Sequence, residues 1–139
     1  MGNYYNFYAA TAGSGTSDFI GEAPDSICPK GWRMVENEGE KSWINLFAEY
    51  YGVTKTGEFS DPDTMAIVSV FNFLRSGYYH WNGVLSYRSF DSRYWSAHTY
   101  SSSSHAYTYH SYSSWLYYQD GGNKGIGFSL CCVAKNLSC

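Results

Sequence analysis

Tyrosine, serine and histidine dominate the stretch from Ser96 to Tyr118, which reads SAHTYSSSSHAYTYHSYSSWLYY. Aromatic residues make up 20% of the 139-residue chain, whereas charged residues make up only 15%. A chain of this length forms one domain around one hydrophobic core. One core cannot enclose all of the rings in the second half of the sequence, so we expect many of them to be exposed to solvent.

The charge and hydropathy of the chain exclude two classes of partner. The net charge is −3, which would repel the phosphates of a nucleic acid. No apolar run approaches the roughly 20 residues that a membrane-spanning helix needs, and no charged and then apolar signal segment opens the chain. We therefore predict a domain that binds no nucleic acid and does not insert into a membrane.

Helical spacing of apolar residues is confined to the first half of the chain. Trp43 and its apolar neighbours fall on one helical face of EKSWINLFAEYYG, and Gly52 follows where a left-handed C-terminal cap belongs. A second helix is predicted in SDPDTMAIVSVF, over residues 60–71, because Ser60 and Asp63 give a start like a capping box. The aromatic alternation of NYYNFYAA, near the N-terminus, predicts a strand.

The composition changes at Gly77. From there onward the sequence contains no Glu, Met or Pro, and only short strand-like segments are found, in RYWSA, HAYTYH and GIGFSLCCVA. Clusters of Ser or Gly bound each segment, and DGGNKG before the last of them has the composition of a loop. We therefore predict that the second half is mostly irregular, with a few short strands.

The four cysteines, at positions 28, 131, 132 and 139, form no CxxC pair, which argues against a zinc ribbon or a thioredoxin-like motif. A bridge from Cys28 to any of the other three would close a loop of about a hundred residues, which the chain-entropy model values at roughly 4–5 kcal/mol. Free thiols in a reducing compartment are the alternative. The spacing alone does not choose between the two.

Several short strings can be interpreted together: NYYNFYAATAGSG, SICPKGWRM, FNFLRSGYY, YWSA, AYTY and KGIGFSLCCV. They resemble the bacterial FISUMP (major paralogous) domain, whose C-terminal half is related to the C-type lectin fold, and the resemblance spans nearly the whole chain. It implies a single C-type lectin-like domain over residues 1–139, of the α+β class, in which two helices flank a small antiparallel sheet. Residues 1–76 would form the strand and helix scaffold, and residues 77–132 a loop-rich display half.

The resemblance also implies a disulfide between Cys28 and Cys132, because Cys132 occupies the position of the cysteine in the family's RCV string. Cys131 stands where the family usually has Arg, so Cys131 and Cys139 remain unassigned and could bridge each other, stay free or link to another chain. The physical character of these strings assigns three large side chains at strand-like positions to the core: Trp32, Trp95 and Phe128.

No catalytic or metal-binding constellation emerges from the sequence. Folds related to the C-type lectin include formylglycine-generating enzymes, which use a cysteine pair near the C-terminus, but Cys131 and Cys132 are adjacent and cannot easily adopt unstrained disulfide geometry. The second half lacks the acidic and amide ligand set of calcium-dependent lectins. The spacings of His98, His105 and His110 fit no tight zinc-ligand pair. We therefore predict a non-enzymatic domain without metal or cofactor, with a calcium-dependent carbohydrate-binding lectin as the alternative.

The composition of the second half is that of a binding surface. Tyr supplies broad, fairly rigid contact area with one directed hydrogen bond, and the Ser and Gly around it adapt locally. Tyr, Trp and Arg are also the residues most often found as interface hot spots. The high strand propensity of Tyr is a simpler explanation, which accounts for AYTYHSY but less well for RSFDSR and SWLYYQDGG. We therefore predict a ligand-binding face, and the composition favours a protein ligand over a glycan.

A bias in residue types indicates how such a face could vary. Mutating the adenines of the Asn codon AAC yields Tyr, His, Ser, Asp and other residues, but never Glu, Gln, Lys, Met or Trp. In residues 77–132 only three Trp residues, Gln119 and Lys124 fall outside this set, and only Asn82 and Asn123 are Asn. The pattern resembles the variable protein of a diversity-generating retroelement, in which adenine-directed mutagenesis rewrites a binding face. An unvaried surface protein with a Tyr-rich face is the alternative.

Six residues stand at positions where the family usually has Asn, and we predict that mutagenesis has replaced Asn at each of them: His110, Tyr112, Trp115, Tyr117, Asp120 and Ile126. Nine further residues are predicted to complete the ligand-binding face: His80, Trp81, Tyr87, Phe90, Asp91, Arg93, His98, Tyr100 and His105. Trp81 and Trp115 need a different starting codon. This interpretation implies an extracellular location, or the surface of a cell or virion, and leaves the oligomeric state open.

Overall fold

The computed structural model describes the following parts of the chain: residues 3–13, 23–37, 42–43, 45, 49, 58–59, 75–100, 104–112 and 115–135. Its elements, in chain order, are β1 (Tyr4–Tyr5), α1 (Phe7–Ala10), β2 (Trp32–Met34), β3 (Glu58–Phe59), β4 (Tyr78–Tyr79), β5 (Leu85–Ser86), β6 (Asp91–Thr99), β7 (His105–Tyr112), β8 (Trp115–Asn123), β9 (Phe128–Ser129) and β10 (Cys132–Ala134).

Three sheets organise these strands. The largest has six strands in the order β1-β9-β6-β7-β8-β3, and the long antiparallel strands β6, β7 and β8 lie at its centre. Because β1 pairs with β9, the N-terminal strand lies beside a strand close to the C-terminus. β9 in turn pairs with β6 in parallel orientation. Two smaller sheets form from β2 with β10 and from β4 with β5.

The predicted α+β class is wrong. Over the described residues the protein is mostly β-sheet, with 49% strand, 8% helix and one short helix, rather than a small sheet flanked by two helices. The second half, predicted to be mostly irregular, contains β6, β7 and β8, which have nine, eight and nine residues. Tyr, Trp and Thr favour strands because their side chains pack well on a pleated surface. Serines that look like loop signals in the sequence, such as Ser92, Ser96 and Ser111, are buried strand residues instead.

The two predicted helices fall largely outside the described residues. Residues 60–71 are not described, and of the helix around Trp43 only positions 43, 45 and 49 are described, with helical backbone. The strand predicted near the N-terminus is shorter than expected. It stops before Asn6, whose side chain caps α1 by accepting a hydrogen bond from the N–H of Ala9 at 2.8 Å. Within the described ranges, no helix has both the length and the apolar character to cross a membrane.

The main core lies on one face of the six-stranded sheet. Trp95 from β6 is fully buried against Phe7 and Phe128, whose ring centroids lie 5.2 and 4.6 Å from its own. Its indole N–H donates a hydrogen bond to the carbonyl of Tyr5 at 2.7 Å, so the one polar group of the buried ring is paired. The predicted core positions of Trp95 and Phe128 are confirmed.

Trp32 departs from its prediction. It is the first residue of β2, opposite Ala134, and it is 47% exposed, whereas the next two residues, Arg33 and Met34, are buried. Trp32 lies at the outer end of the β2–β10 sheet, paired with the last residue of β10, whereas Met34 at the other end of β2 packs in the main core. The prediction that Trp32 is a core residue is therefore wrong.

The opposite face of the large sheet is covered as well. Tyr109 from β7 is fully buried, and its ring centroid lies 5.0 Å from that of Trp43. The Tyr109 hydroxyl donates to the carbonyl of Glu36 at 2.5 Å and accepts from the backbone N–H of Trp43 at 3.1 Å. Tyr94, the partner of Tyr109 on β6, also contacts Trp43. Because side chains alternate along a strand, the sequence neighbours of Tyr94 and Tyr109 point to the first face.

Two glycines determine how closely elements approach on that first face. A Cβ on Gly122 would lie 2.3 Å from the ring of Phe128, so glycine is what lets the ring rest on β8. Gly77 has a φ of +73°, and a Cβ there would lie 2.2 Å from the carbonyl of Ser86. The N–H of Gly77 donates to the carbonyl of Asp91 at 2.8 Å. This bond docks the β4–β5 hairpin beside β6.

A disulfide joins Cys28 to Cys132, as the resemblance implies, with the two Cα atoms 5.8 Å apart. It fastens the segment before β2 to β10, where Cys132 lies opposite Met34. Cys131 is free and half-buried, and Cys139 lies outside the described residues. The disulfide is compatible with an oxidising, extracellular location.

Removing this disulfide will lower stability. The two cysteines are 104 residues apart, and a cross-link over such a loop is worth about 4–5 kcal/mol in the chain-entropy model. We expect the free energy of unfolding in urea, followed by circular dichroism, to fall by about this amount in the Cys28→Ser, Cys132→Ser double variant. Cys131→Ser is the matched control and should leave the unfolding midpoint unchanged. Equal midpoints for the double variant and the wild type would contradict the assignment.

Candidate ligand-binding face

A β-bulge in β8 places two of the predicted residues beside His110. Thr108 pairs with Asp120, whereas His110 pairs with Tyr117, so a step of two residues on β7 corresponds to three residues on β8. Tyr117 and Asp120 are three residues apart. On a regular strand, side chains separated by an odd number of residues point to opposite faces. The extra residue lets both approach His110 from the same side.

Four charged side chains form a cluster at this point, which we term the charged cluster: Asp91, Arg93, His110 and Asp120. The Nδ1 atom of His110 lies 2.8 Å from Oδ2 of Asp120, and its Nε2 atom lies 3.1 Å from Oδ1 of Asp91. Arg93, opposite His110 in the β6–β7 register, places Nη1 3.0 Å from the same Oδ2 of Asp120. The cluster therefore ties β6, β7 and β8 together through side chains.

The carboxylates control the proton affinity of His110. Burial lowers the pKa of His110, but its interactions with Asp120 and Asp91 outweigh that effect, and the net pKa lies above the ordinary value. For Asp120, burial raises the pKa, whereas the hydrogen bond from His110 and the charge of Arg93 lower it by more, so the net pKa is depressed. Both shifts favour the charged pair.

Arg93 connects the charged cluster to the core and to the hairpin. Its guanidinium carbon lies 5.6 Å from the ring centroid of Tyr78 and 5.6 Å from that of Phe128, distances at which a cation is attracted by an aromatic ring. Tyr78 in turn stacks on Tyr87, with centroids 5.5 Å apart and planes inclined by 17°. Burial raises the pKa of the Tyr78 hydroxyl, which therefore stays protonated at neutral pH.

Aromatic rings surround the charged cluster on the solvent side. The rings of Tyr117 and Tyr112 lie 5.8 and 6.3 Å from that of His110, and Tyr112 is 49% exposed. On the hairpin, the ring of His80 lies 5.0 Å from Tyr78 and 5.5 Å from Trp81. These contacts form two groups of rings, one around His110 and one on the hairpin, and the guanidinium of Arg93 lies between them, against Tyr78 and Asp120.

The hairpin and the loop after it present large rings to solvent. Trp81 is 79% exposed, Phe90 67% and Tyr87 56%. Tyr87 has a φ of 58°, a left-handed conformation that a bulky residue rarely adopts. The carbonyl of Tyr87 accepts hydrogen bonds from the N–H groups of Phe90 and Asp91, both at 3.1 Å. Local hydrogen bonds of the turn thus accompany the unfavourable conformation of Tyr87, and such conformations are common at functional sites.

Ten of the fifteen predicted binding residues come together with Tyr78 on this surface. We term it the display face; its members are Tyr78, His80, Trp81, Tyr87, Phe90, Asp91, Arg93, His110, Tyr112, Tyr117 and Asp120. Tyr78 is not among the predicted residues, although the alternation of GYYHW places it on the side of the strand that carries His80. For Trp115, only the backbone is described; it lies opposite Tyr112.

The other four predicted residues lie elsewhere. His98 is only 7% exposed, within the irregular part of β6 where the register with β7 shifts. Ile126 packs against the hydrophobic core. Tyr100 donates a backbone hydrogen bond to His105 at 3.0 Å, at the far end of β7 from His110, and its ring contacts Tyr107. These positions are separated from the display face by the length of a strand or by burial.

An open groove of about 490 Å³ lies on the other side of the hairpin, lined by Asn3, Tyr4, Tyr5, Tyr79 and Gly127. The rings of Tyr4 and Tyr79 meet edge to face, with centroids 5.0 Å apart. Tyr79 and Tyr78 are consecutive in β4 and point to opposite sides, so the groove and the display face are separate surfaces. None of the lining side chains is a carboxylate of the kind that calcium prefers.

Two further observations concern metal ligands and thiol chemistry. In the part of the chain that is described, no three or more His, Cys, Asp or Glu side chains are grouped to hold a metal ion. Burial raises the pKa of the Cys131 thiol to about 11. A thiol of that pKa is almost fully protonated at neutral pH, and the thiolate is the nucleophilic form.

Comparison of the chain with protein-family models, with curated proteins and with solved structures finds no match. The similarity to the FISUMP domain therefore stays a prediction from the sequence strings.

Proposed function

We propose that this chain is a non-enzymatic binding domain whose display face recognises a protein ligand. The observation that carries the proposal is a set of exposed aromatic rings fixed around a charged cluster whose members pair with one another. Contiguous exposed aromatic surface is uncommon on proteins that bind nothing. Tyr, Trp and Arg, which dominate this surface, are the residues most often found as interface hot spots.

The rings are held in place before any ligand arrives. Tyr87 stacks on Tyr78, Tyr78 lies against the guanidinium of Arg93, and Arg93 is paired with Asp120. Side chains that are already ordered lose less conformational entropy when a partner binds. The arrangement therefore supports recognition by a preformed surface.

The charge arrangement indicates the type of ligand. Asp120 is engaged by Arg93 and His110, and Asp91 lies against His110, so a basic partner would have to displace internal pairs. When His110 is protonated, the two cations and two anions of the charged cluster cancel. The ligand that suits this face is a protein surface that contributes apolar and aromatic contacts and neutral hydrogen bonds, with weak dependence on salt.

We further propose that the face is diversified by a retroelement. Four of the six positions assigned to rewritten Asn codons are on the display face: His110, Tyr112, Tyr117 and Asp120. Ile126 packs against the core and is a poor candidate, because substitution there would disturb folding. A mechanism that rewrites residues tolerates change best where side chains are exposed, which supports Tyr112, 49% exposed, over His110, whose side chain is 13% exposed and paired within the charged cluster.

Selection from a library of random linear peptides displayed on phage tests the binding proposal. Peptides enriched on the wild-type protein should compete with one another for one surface. Trp81→Ala and Tyr112→Ala should each weaken their binding by about fivefold or more, because truncating a hot-spot ring removes over 1 kcal/mol. Trp32→Ala is the matched control, since Trp32 is 47% and Tyr112 49% exposed, and it should change nothing. Peptides that lose affinity only with Trp32→Ala would contradict the proposal.

The DNA beside the coding sequence tests the diversification proposal. We expect a reverse-transcriptase gene and a template repeat nearly identical to the segment encoding the display face, differing from it at adenines. Sequencing of the locus in related strains should show changes confined to the exposed positions. A locus without such a repeat would favour the unvaried surface protein.

A further inference from the structure

The imidazole of His110 lies between two carboxylates that belong to the strands on either side. Nδ1 faces Asp120 on β8 at 2.8 Å, and Nε2 faces Asp91 on β6 at 3.1 Å. Nε2 of His110 and Oδ1 of Asp91 are both buried, and neither makes a hydrogen bond to any described group, each other included, so their 3.1 Å contact is an ion pair without the alignment of a hydrogen bond. Each ring nitrogen therefore lies within 3.1 Å of a carboxylate oxygen.

This geometry suits only one protonation state. An imidazolium has two N–H donors, whereas a neutral imidazole has one N–H and one lone pair, and an ionised carboxylate only accepts. A neutral ring would therefore direct a lone pair at a carboxylate oxygen about 3 Å away. The side chains of His110 and Asp91 are 13% and 7% exposed, so little water is available to relieve that contact, and an unpaired buried polar group is costly.

The other groups around His110 do not remove this requirement. From β6, Arg93 opposes the proton on His110 through its positive charge, but it also holds Asp120 in place at 3.0 Å. From β8, Tyr117 faces the ring, and Tyr112 flanks it on β7. On the hairpin, Tyr78 contacts Arg93 rather than the imidazole. The two carboxylates are thus the groups that decide the protonation state of His110.

We propose that His110 is a positioning residue: as an imidazolium it hydrogen-bonds Asp120, forms an ion pair with Asp91 and fixes Tyr112 and Tyr117, so the display face binds its ligand more tightly when His110 is protonated. This inference rests on the proposed function for its binding consequence. Loss of the proton breaks one of these two interactions and releases one flanking carboxylate. The rings packed against His110 then lose their common support, and the binding surface is less well ordered.

The direction in which stability depends on pH follows from the pKa shift of His110. Its pKa is raised in the folded protein, so its contribution to stability is fully present below the unfolded pKa of about 6.5 and is lost as pH rises through the folded value. The depressed pKa of Asp120 acts at the acid end, where stability is lost as pH falls through that value. Between the two, the charged cluster is intact.

The Asp91→Asn variant tests whether the proton on His110, rather than the packing of its ring, keeps the display face in place. The amide of Asn has the shape of a carboxylate, and its NH₂ group can donate to Nε2 of a neutral His110 while Nδ1–H donates to Asp120. This variant therefore satisfies both ring nitrogens without the extra proton. His105→Gln, at the other end of β7, is the control for replacing a histidine on the same strand.

Three measurements test the proposal, with a phage-selected peptide that binds the display face as the probe. In wild-type protein, ¹⁵N NMR should show both ring nitrogens of His110 protonated at about pH 6.5. The Kd of the peptide should rise up to about tenfold one pH unit above the pKa of His110, because only the competent fraction binds. In Asp91→Asn, both the Kd and the free energy of unfolding should change much less over the same range, while His105→Gln should follow the wild type.

The outcomes separate the two proposals. A His110 ring that carries a single N–H at pH 6, or a peptide Kd that is flat with pH in the wild type, overturns the positioning role. If no selected peptide maps to the display face, the proposed function fails, while the nitrogen shifts and the pH dependence of stability still decide the role of His110. The nitrogen shifts need no variant, so they remain decisive if Asp91→Asn does not fold.

Discussion

The guanidinium of Arg93 is the point at which the interior and the exposed surface of this protein meet. It lies 5.6 Å from the buried ring of Phe128 and from the ring of Tyr78, and it is 3.0 Å from the carboxylate of Asp120. A planar, permanently charged group can stack on rings and pair with a carboxylate at the same time, which lysine cannot do as well. Core, hairpin and β8 are therefore all connected through one side chain.

Because of this arrangement, the burial of side chains decreases along one face of the sheet. Trp95 is fully buried, Arg93 two residues earlier is partly buried, and the hairpin rings docked beside the start of β6 are exposed. The apolar end supplies the stability of the sheet, and the charged cluster fixes the side chains where the core ends. The aromatic rings beyond it need no burial of their own to be ordered. This explains how a small domain can keep many large rings at its surface.

Part of this picture was predictable from the residues alone. The crowding of rings in the second half correctly predicts exposure at Trp81, Tyr87 and Tyr112, because a core of this size cannot enclose them. The length of the strands in the second half was underestimated, because serines indicate loops in most sequences, whereas several serines here occupy buried strand positions. The exposure of Trp32 depends on its place at the outer end of the β2–β10 sheet, which a local pattern does not reveal. The charged cluster depends on the bulge between Tyr117 and Asp120, and a shift of one residue in register has no signature in composition.

The central claim is that the sheet holds selected aromatic rings toward solvent while others stay in the interior. Photochemically induced nuclear polarisation tests it directly, because an excited flavin dye polarises only the Tyr, Trp and His rings that it can touch. We predict strong signals from Trp81 and Tyr112, which are 79% and 49% exposed, and none from Trp95 and Tyr109, which are fully buried. Polarised Trp95 or Tyr109 together with silent Trp81 and Tyr112 would contradict the account.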